Sequence, residues 1–156
     1  MQRIIYKEDG GVSVVIPVLK SKKQNESEKQ WLKRVFDKAT PEGASYKDTN
    51  EVLPNRRFRN AWQKGKANAV DVDLSKAKAQ VLVEIREVRD KELVNTDGLM
   101  ARATEIGTQK EIDDLKIQRQ RLRDLPTAIN INTIITVEEL ELKFSKQLTI
   151  DKYLSM

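Results

Sequence analysis

The chain has 156 residues, enough for one ordinary domain or a compact domain with an elongated appendage. It contains neither histidine nor cysteine, which removes the commonest general base, thiolate nucleophiles, disulfides and the usual structural zinc ligands. Lysine and arginine number 29 against 24 acidic residues, an excess of five that is mild for a nucleic-acid binder, and a mean hydropathy of −0.61 suits thin elements with much solvated surface better than a large globule.

Arg3-Ile4-Ile5-Tyr6-Lys7 and Val12-Ser13-Val14-Val15-Ile16 flank Glu8-Asp9-Gly10-Gly11, which predicts a β-hairpin around glycines that tolerate positive φ. Lys20 to Lys29 is polar and reads as a solvated connection. Ser27 with Gln30 forms a capping-box pattern ahead of Trp31, Leu32, Val35, Phe36 and Ala39, an aromatic helical stripe suited to packing on the sheet. Thr40-Pro41-Glu42-Gly43 stops that helix. Ala44 to Asp48 reads as a short strand. Arg56 to Trp62 reads as a strand or a single turn that docks Phe58 and Trp62, and Val70 and Val72 mark a last short edge strand. Six of the eight aromatic residues lie in the first 62 positions, which places the densest packing there.

Asp73 is a good N-cap for Leu74, Ala77, Val81, Ile85 and Val88, a narrow apolar stripe stepping by three and four. In the same phase polar Glu92 and Asn95 follow, then Leu99 and Ile106 return to the stripe, with Arg102 between them and Ala103 alongside. Asn95-Thr96-Asp97-Gly98 is a turn signal and an interior glycine costs about 1 kcal/mol, yet the balance falls on a helix that continues, with or without a kink. Gly107, Thr108 and Glu111 form a break and a capping box for a second helix. Its stripe is Ile112, Leu115, Arg119 and Leu122, with Arg119 the single polar intruder, and Pro126 is expected to end it. The first helix outruns the second, so one end of the hairpin is expected to project. Thr127 to Thr136 reads as a β-branched loop or short strand, and Thr136 with Glu139 caps a brief helix through Leu140 and Phe144. The expected fold is therefore α+β: a mixed N-terminal domain over residues 1–72 (β-hairpin, one helix, short strands), a long helical hairpin over 73–126, and an extension over 127–156 with a short helix.

No residue set points to catalysis. Asp73 has a capping role, Asp113 and Asp114 are adjacent and point apart on a helix, and Gly10-Gly11 lacks the lysine and helix start of a phosphate loop. An enzyme is not expected, nor a cofactor or metal. Arg56, Arg57, Arg59, Lys64 and Lys66 with Phe58 and Trp62 could stack and neutralise a nucleic acid. Rings four apart beside a proline read more simply as core anchors with arginine stems across them, so nucleic acid is not the expected partner. Lys116, Arg119, Arg121 and Arg123 complement the helix dipole near the end of the second helix. The slender stripes are the candidate contact surface for another protein or a second copy: Val81, Ile85, Val88, Ile112, Leu115, Arg119 and Leu122. The longest apolar run, Val12 to Leu19, is broken by Ser13 and Pro17 and is far short of a membrane span; with no visible signal peptide or lipidation motif, cytosol or a soluble assembly is expected.

Taken in order, Leu53-Pro54, Phe58-Arg59-Asn60-Ala61-Trp62, Asp73-Leu74-Ser75-Lys76-Ala77 and Gln120-Arg121-Leu122-Arg123-Asp124-Leu125-Pro126 resemble a family of small tailed-bacteriophage proteins. The C-terminal helical region of that family is similar to phage tail assembly chaperones and tail-fibre assembly proteins. The resemblance covers roughly residues 30 to 143, with Phe58, Arg59 and Trp62 as motif anchors. A short polar N-terminal linker and a lysine- and isoleucine-rich tail after Leu125 depart from the pattern. The resemblance implies a non-catalytic role in building a phage tail by binding a tail or fibre protein, in the host cytoplasm during assembly, or in the virion if the chain is a permanent minor structural component.

Overall fold

The computed structural model describes residues 1–144, and the chain divides into two compact units that meet between Asp73 and Leu74. The architecture is α+β. In the first unit β1 (Gln2–Tyr6) is the central strand of an antiparallel sheet, with β2 (Val12–Val15) on one side and β3 (Tyr46–Thr49) on the other. Arg3 opposes Val15 and Asp48, and Ile5 opposes Ser13 and Tyr46. Gly10 takes φ +80° in the β1–β2 turn, where the Lys7 N–H donates to the Gly11 carbonyl.

Successive β1 side chains point to opposite faces, and both faces are covered: Arg3, Ile4, Ile5 and Tyr6 are all buried. On one face lies α1 (Glu28–Ala39), whose N-terminus closes with the expected Ser27–Gln30 capping box. Its Phe36 ring sits 4.6 Å from the Arg3 guanidinium, which also lies 3.8 Å from the Tyr46 ring, donates to both Asp48 oxygens at 2.6 and 2.8 Å, and reaches Thr40 Oγ1 at 3.2 Å. One strand arginine thus ties β1 to β3 and to the end of α1. The Tyr6 hydroxyl, two or more pleats away on the opposite face, donates to the Asn68 carbonyl at 2.5 Å. That carbonyl belongs to the loop joining β4 (Trp62–Lys64) to β5 (Val70–Val72), a second antiparallel pair linked to the first sheet by a Gly11–Gln63 bridge. Between β3 and β4, residues Arg56–Ala61 form a 3-10 turn, one of the two alternatives the sequence leaves open for this segment. The polar connection before α1 is more than solvated chain: Arg34 holds Glu26 through two 2.7 Å bonds, and Trp31 Nε1 donates to Ser21 Oγ at 2.8 Å.

The second unit is built on α2 (Leu74–Ile106), 33 residues in one continuous helix that passes through Gly98. A tight link at Gly107 leads to α3 (Gln109–Ala128), whose Thr108–Glu111 capping box forms as expected. Gly107 is required sterically, because a Cβ there would come within 2.6 Å of the Ala103 carbonyl oxygen. Two expectations are corrected. Pro126 does not end α3, which runs on to Ala128; so near the C-terminus the missing N–H costs a single ladder bond, and Ile129 N–H still closes on the Leu125 carbonyl at 3.1 Å.

Nor does the long helix project uncovered. At 1.5 Å per residue α2 is about 20 Å longer than α3, and the chain after α3 folds back beside the surplus. Residues Ile131–Thr133 form a 3-10 turn, not a strand, and α4 (Val137–Lys143) packs on α2, with Lys78 Nζ reaching the Asn132 carbonyl at 3.4 Å. Ala77, Val81 and Ile85 of α2 are fully buried, as are Ile134, Leu140 and Phe144. The hairpin and the described part of the extension therefore form one unit, where the sequence pattern separates them at residue 126. At α4, Thr136 accepts from Glu139 N–H as a cap should, but the Glu139 carboxylate returns to Ile135 N–H instead of Thr136.

Candidate partner-binding surface

The buried seam of α2 runs through Ala77, Val81, Ile85, Thr96 and Ala103. Thr96 and Ala103 are seven residues apart, the spacing of a coiled-coil seam, and both are small enough to let the helices approach. The seam leaves the phase that carries Leu99 and Ile106, so these two, expected on the stripe, lie outside it at 53% and 76% exposure. Ile117, about midway along α3, is exposed to 53%.

Arg119, the polar intruder on the α3 stripe, proves to be matched. Its Nη1 donates to Thr96 Oγ1 at 3.1 Å and to Asp97 Oδ1 at 2.5 Å, while Thr96, almost fully buried, donates its own hydroxyl to the Leu93 carbonyl. The apparent turn signal Asn95-Thr96-Asp97-Gly98 is thus helical and supplies the receptor for a charge on the facing helix. A polar residue on one stripe was visible in the sequence; that the other stripe breaks opposite it depends on the antiparallel register set by Gly107.

These contacts redistribute the candidate site. Val81, Ile85 and Leu122 are buried within this single chain and are not available to a partner, a correction whose cause is intramolecular covering of the stripe. Val88, Ile112, Leu115 and Arg119 are half-buried. Exposed aliphatic side chains in this unit include Val83, Val94, Ile117, Ile135 and Leu142 as well as Leu99 and Ile106, and the last two flank a groove at the end of the hairpin near Gly107. A groove of about 520 Å³ is lined there by Leu99, Arg102, Ala103, Ile106, Gly107, Glu111, Asp114 and Leu115. A second, of about 430 Å³, lies among Met100, Lys116, Ile117, Arg119, Gln120 and Arg123. The Glu111 carboxyl is held below its usual range, first by the Thr108 backbone N–H, then by the Thr108 hydroxyl, with Arg102 adding to it. The same holds for Asp113, hydrogen-bonded by Gln109 and Lys116. The first groove sets Arg102, Glu111 and Asp114 beside Leu99, Ile106 and Leu115, and the second sets Lys116, Arg119 and Arg123 beside Met100 and Ile117.

In the first unit the motif anchors separate. Phe58 and Trp62 are buried as core, and Arg59 is exposed. In contrast to Trp31, the Trp62 indole N–H has no hydrogen-bond partner. Among the described residues no group of acidic side chains could hold a metal ion, and no helix is long and apolar enough to cross a membrane. No family model matches the chain, and no curated protein or solved structure is significantly similar to it.

Proposed function

We propose that this chain is a non-catalytic binding protein of tailed-bacteriophage assembly that engages a tail or tail-fibre protein through the closed end of its helical hairpin. The observation that carries the binding mode is the exposure of Leu99 and Ile106 beside Gly107, where a groove presents apolar side chains rimmed by Arg102, Glu111 and Asp114. The class of partner rests on the motif order from Leu53-Pro54 to Leu125-Pro126. In this mechanism the aliphatic tip covers an apolar segment of the partner while Arg102, Glu111, Asp114 and Lys116 select its orientation.

Co-expression with the tail and fibre proteins encoded beside it tests the proposal. One of them should co-purify with the wild-type chain and be lost with Leu99→Glu plus Ile106→Glu, variants that leave helicity intact because both side chains are already in water. Failure of every candidate to co-purify, or fibre solubility unchanged when the chain is omitted, refutes it. Mass spectrometry of purified particles then separates an assembly factor, absent from mature virions, from a structural subunit present at fixed stoichiometry.

A further inference from the structure

The net charge of +5 is not shared between the two units. Residues 1–73 hold fifteen bases and ten acids, whereas residues 74–156 hold fourteen of each. The five bases of one eleven-residue segment, Arg56, Arg57, Arg59, Lys64 and Lys66, account for the whole excess, and no acid occurs between Glu51 and Asp71.

Elsewhere in this unit Arg3, Lys33, Arg34 and Lys47 each have a carboxylate partner, whereas among the described residues Lys7, Lys20, Lys22, Lys23, Lys29 and Lys38 have none but are interspersed with acids along the chain. Among the described residues Arg56, Arg59 and Lys66 have none, and all three are exposed. The segment is nonetheless rigidly built. The 3-10 backbone is kinked at Phe58, and on either side of the kink Phe58 and Ala61 are buried while Arg56 and Arg59 are exposed. The β4–β5 loop that carries Lys66 is held by the Tyr6 hydroxyl and by left-handed Ala67 and Asn68, φ +51° and +56°. Lys64 lies over the Tyr6 ring, 4.9 Å from its centroid.

We infer that this segment is a second contact surface, independent of the hairpin tip, which binds the phosphodiester backbone of a double-stranded nucleic acid without reading its sequence. The burial of the rings decides the class. From Asn55 to Asn68 the only large apolar side chains, Phe58 and Trp62, are inside. Single-stranded nucleic acid is therefore left no ring to stack on, and a protein partner finds no ring to anchor on within the segment; the apolar side chains near it, Val52, Leu53 and Pro54, lie on the far side of Arg56 in sequence, away from Arg59 and Lys66. Phosphates need only unpaired cations on a fixed frame.

Fluorescence anisotropy of the full chain against a labelled random-sequence DNA duplex tests this. With about four phosphates neutralised, affinity falls about 100-fold between 50 and 200 mM salt. Replacing Arg56, Arg59 and Lys66 together by Gln abolishes binding at 100 mM salt, whereas the same charge removed from exposed Lys20, Lys22 and Lys23 leaves most of it. Equal loss in both triple variants, no salt-dependent binding, tighter binding of a single strand of the same length, or equal affinity for polyglutamate each overturns the inference. The last result assigns the surface to an acidic protein instead.

Discussion

Arg119 belongs to the apolar stripe of α3, and removing it separates a structural role from a partner-binding one. In Arg119→Ala the chain loses a charge-assisted bond to buried Thr96, which contributes about 1.5–3 kcal/mol, and an ion pair with Asp97. Asp97 is 62% exposed, so that pair contributes at most about 1 kcal/mol. The arginine side chain itself is only 18% exposed, so its stem also packs against the facing helix. The expected loss is about 2–3 kcal/mol, or roughly 1–2 M in the urea midpoint. Arg119→Leu combined with Thr96→Val replaces the polar match by an apolar one and should recover to within about 1 kcal/mol of wild type, because neither partner is left unsatisfied in the seam. The two tryptophans, Trp31 and Trp62, both lie in the first unit, whereas α2 and α3 dominate the helical signal. Urea titrations followed by far-UV circular dichroism read the second unit, and tryptophan fluorescence reads the first. An unchanged dichroism midpoint in Arg119→Ala, or a double variant weaker than either single one, would refute the matched-pair account.

Gly98 is helical and exposed, and a Cβ there meets nothing within 4 Å, so Gly98→Ala should raise the dichroism midpoint by the equivalent of about 1 kcal/mol; a lower midpoint would contradict a continuous helix. Ala67 sits at φ +51°, ψ +33°, a conformation that costs an alanine about 1 kcal/mol. Asparagine tolerates it better, so Ala67→Asn should stabilise the first unit by up to that amount in fluorescence-detected unfolding. The Arg34 guanidinium holds the Glu26 carboxyl down at about 2. A carboxyl depressed in the folded state contributes stability that is fully present above its unfolded value and is lost as pH falls from about 4.5 through about 2. Glu26→Gln should therefore flatten the acid limb of the first unit's stability profile while leaving its shape above pH 6 unchanged, and an acid limb as steep as wild type would rule out this pair as a contributor.

Where local chemistry is self-contained, it was legible in the sequence. The Ser27–Gln30 and Thr108–Glu111 boxes form where their spacing puts them, because each needs only one turn of backbone to bring donor and acceptor together. The glycine turn at Gly10 and the inward rings of Phe58 and Trp62 belong to the same class. Arg3 is the opposite case. Nothing in Arg3-Ile4-Ile5 announces a buried arginine, since the residues that receive it, Thr40 and Asp48, are brought to it by a helix and a strand tens of residues away.

The candidate contact surface shows the same division more sharply. Helical periodicity marks Val81, Ile85, Leu99, Ile106 and Leu122 alike as aliphatic positions to be covered, but it carries no information on what covers them. The fold divides them: Val81, Ile85 and Leu122 are buried within the chain, while Leu99 and Ile106 stay in water at the hairpin tip. By itself the sequence determined the α+β class, the β1–β2 hairpin, the two capping boxes at Ser27 and Thr108, the break at Gly107 and the chain's lack of thiol and imidazole chemistry, all set within a few residues or by composition. Only the tertiary structure decided which apolar stripe is consumed internally and which is left exposed, because helix register and the return of residues 131–144 along α2 depend on packing between segments far apart in the chain.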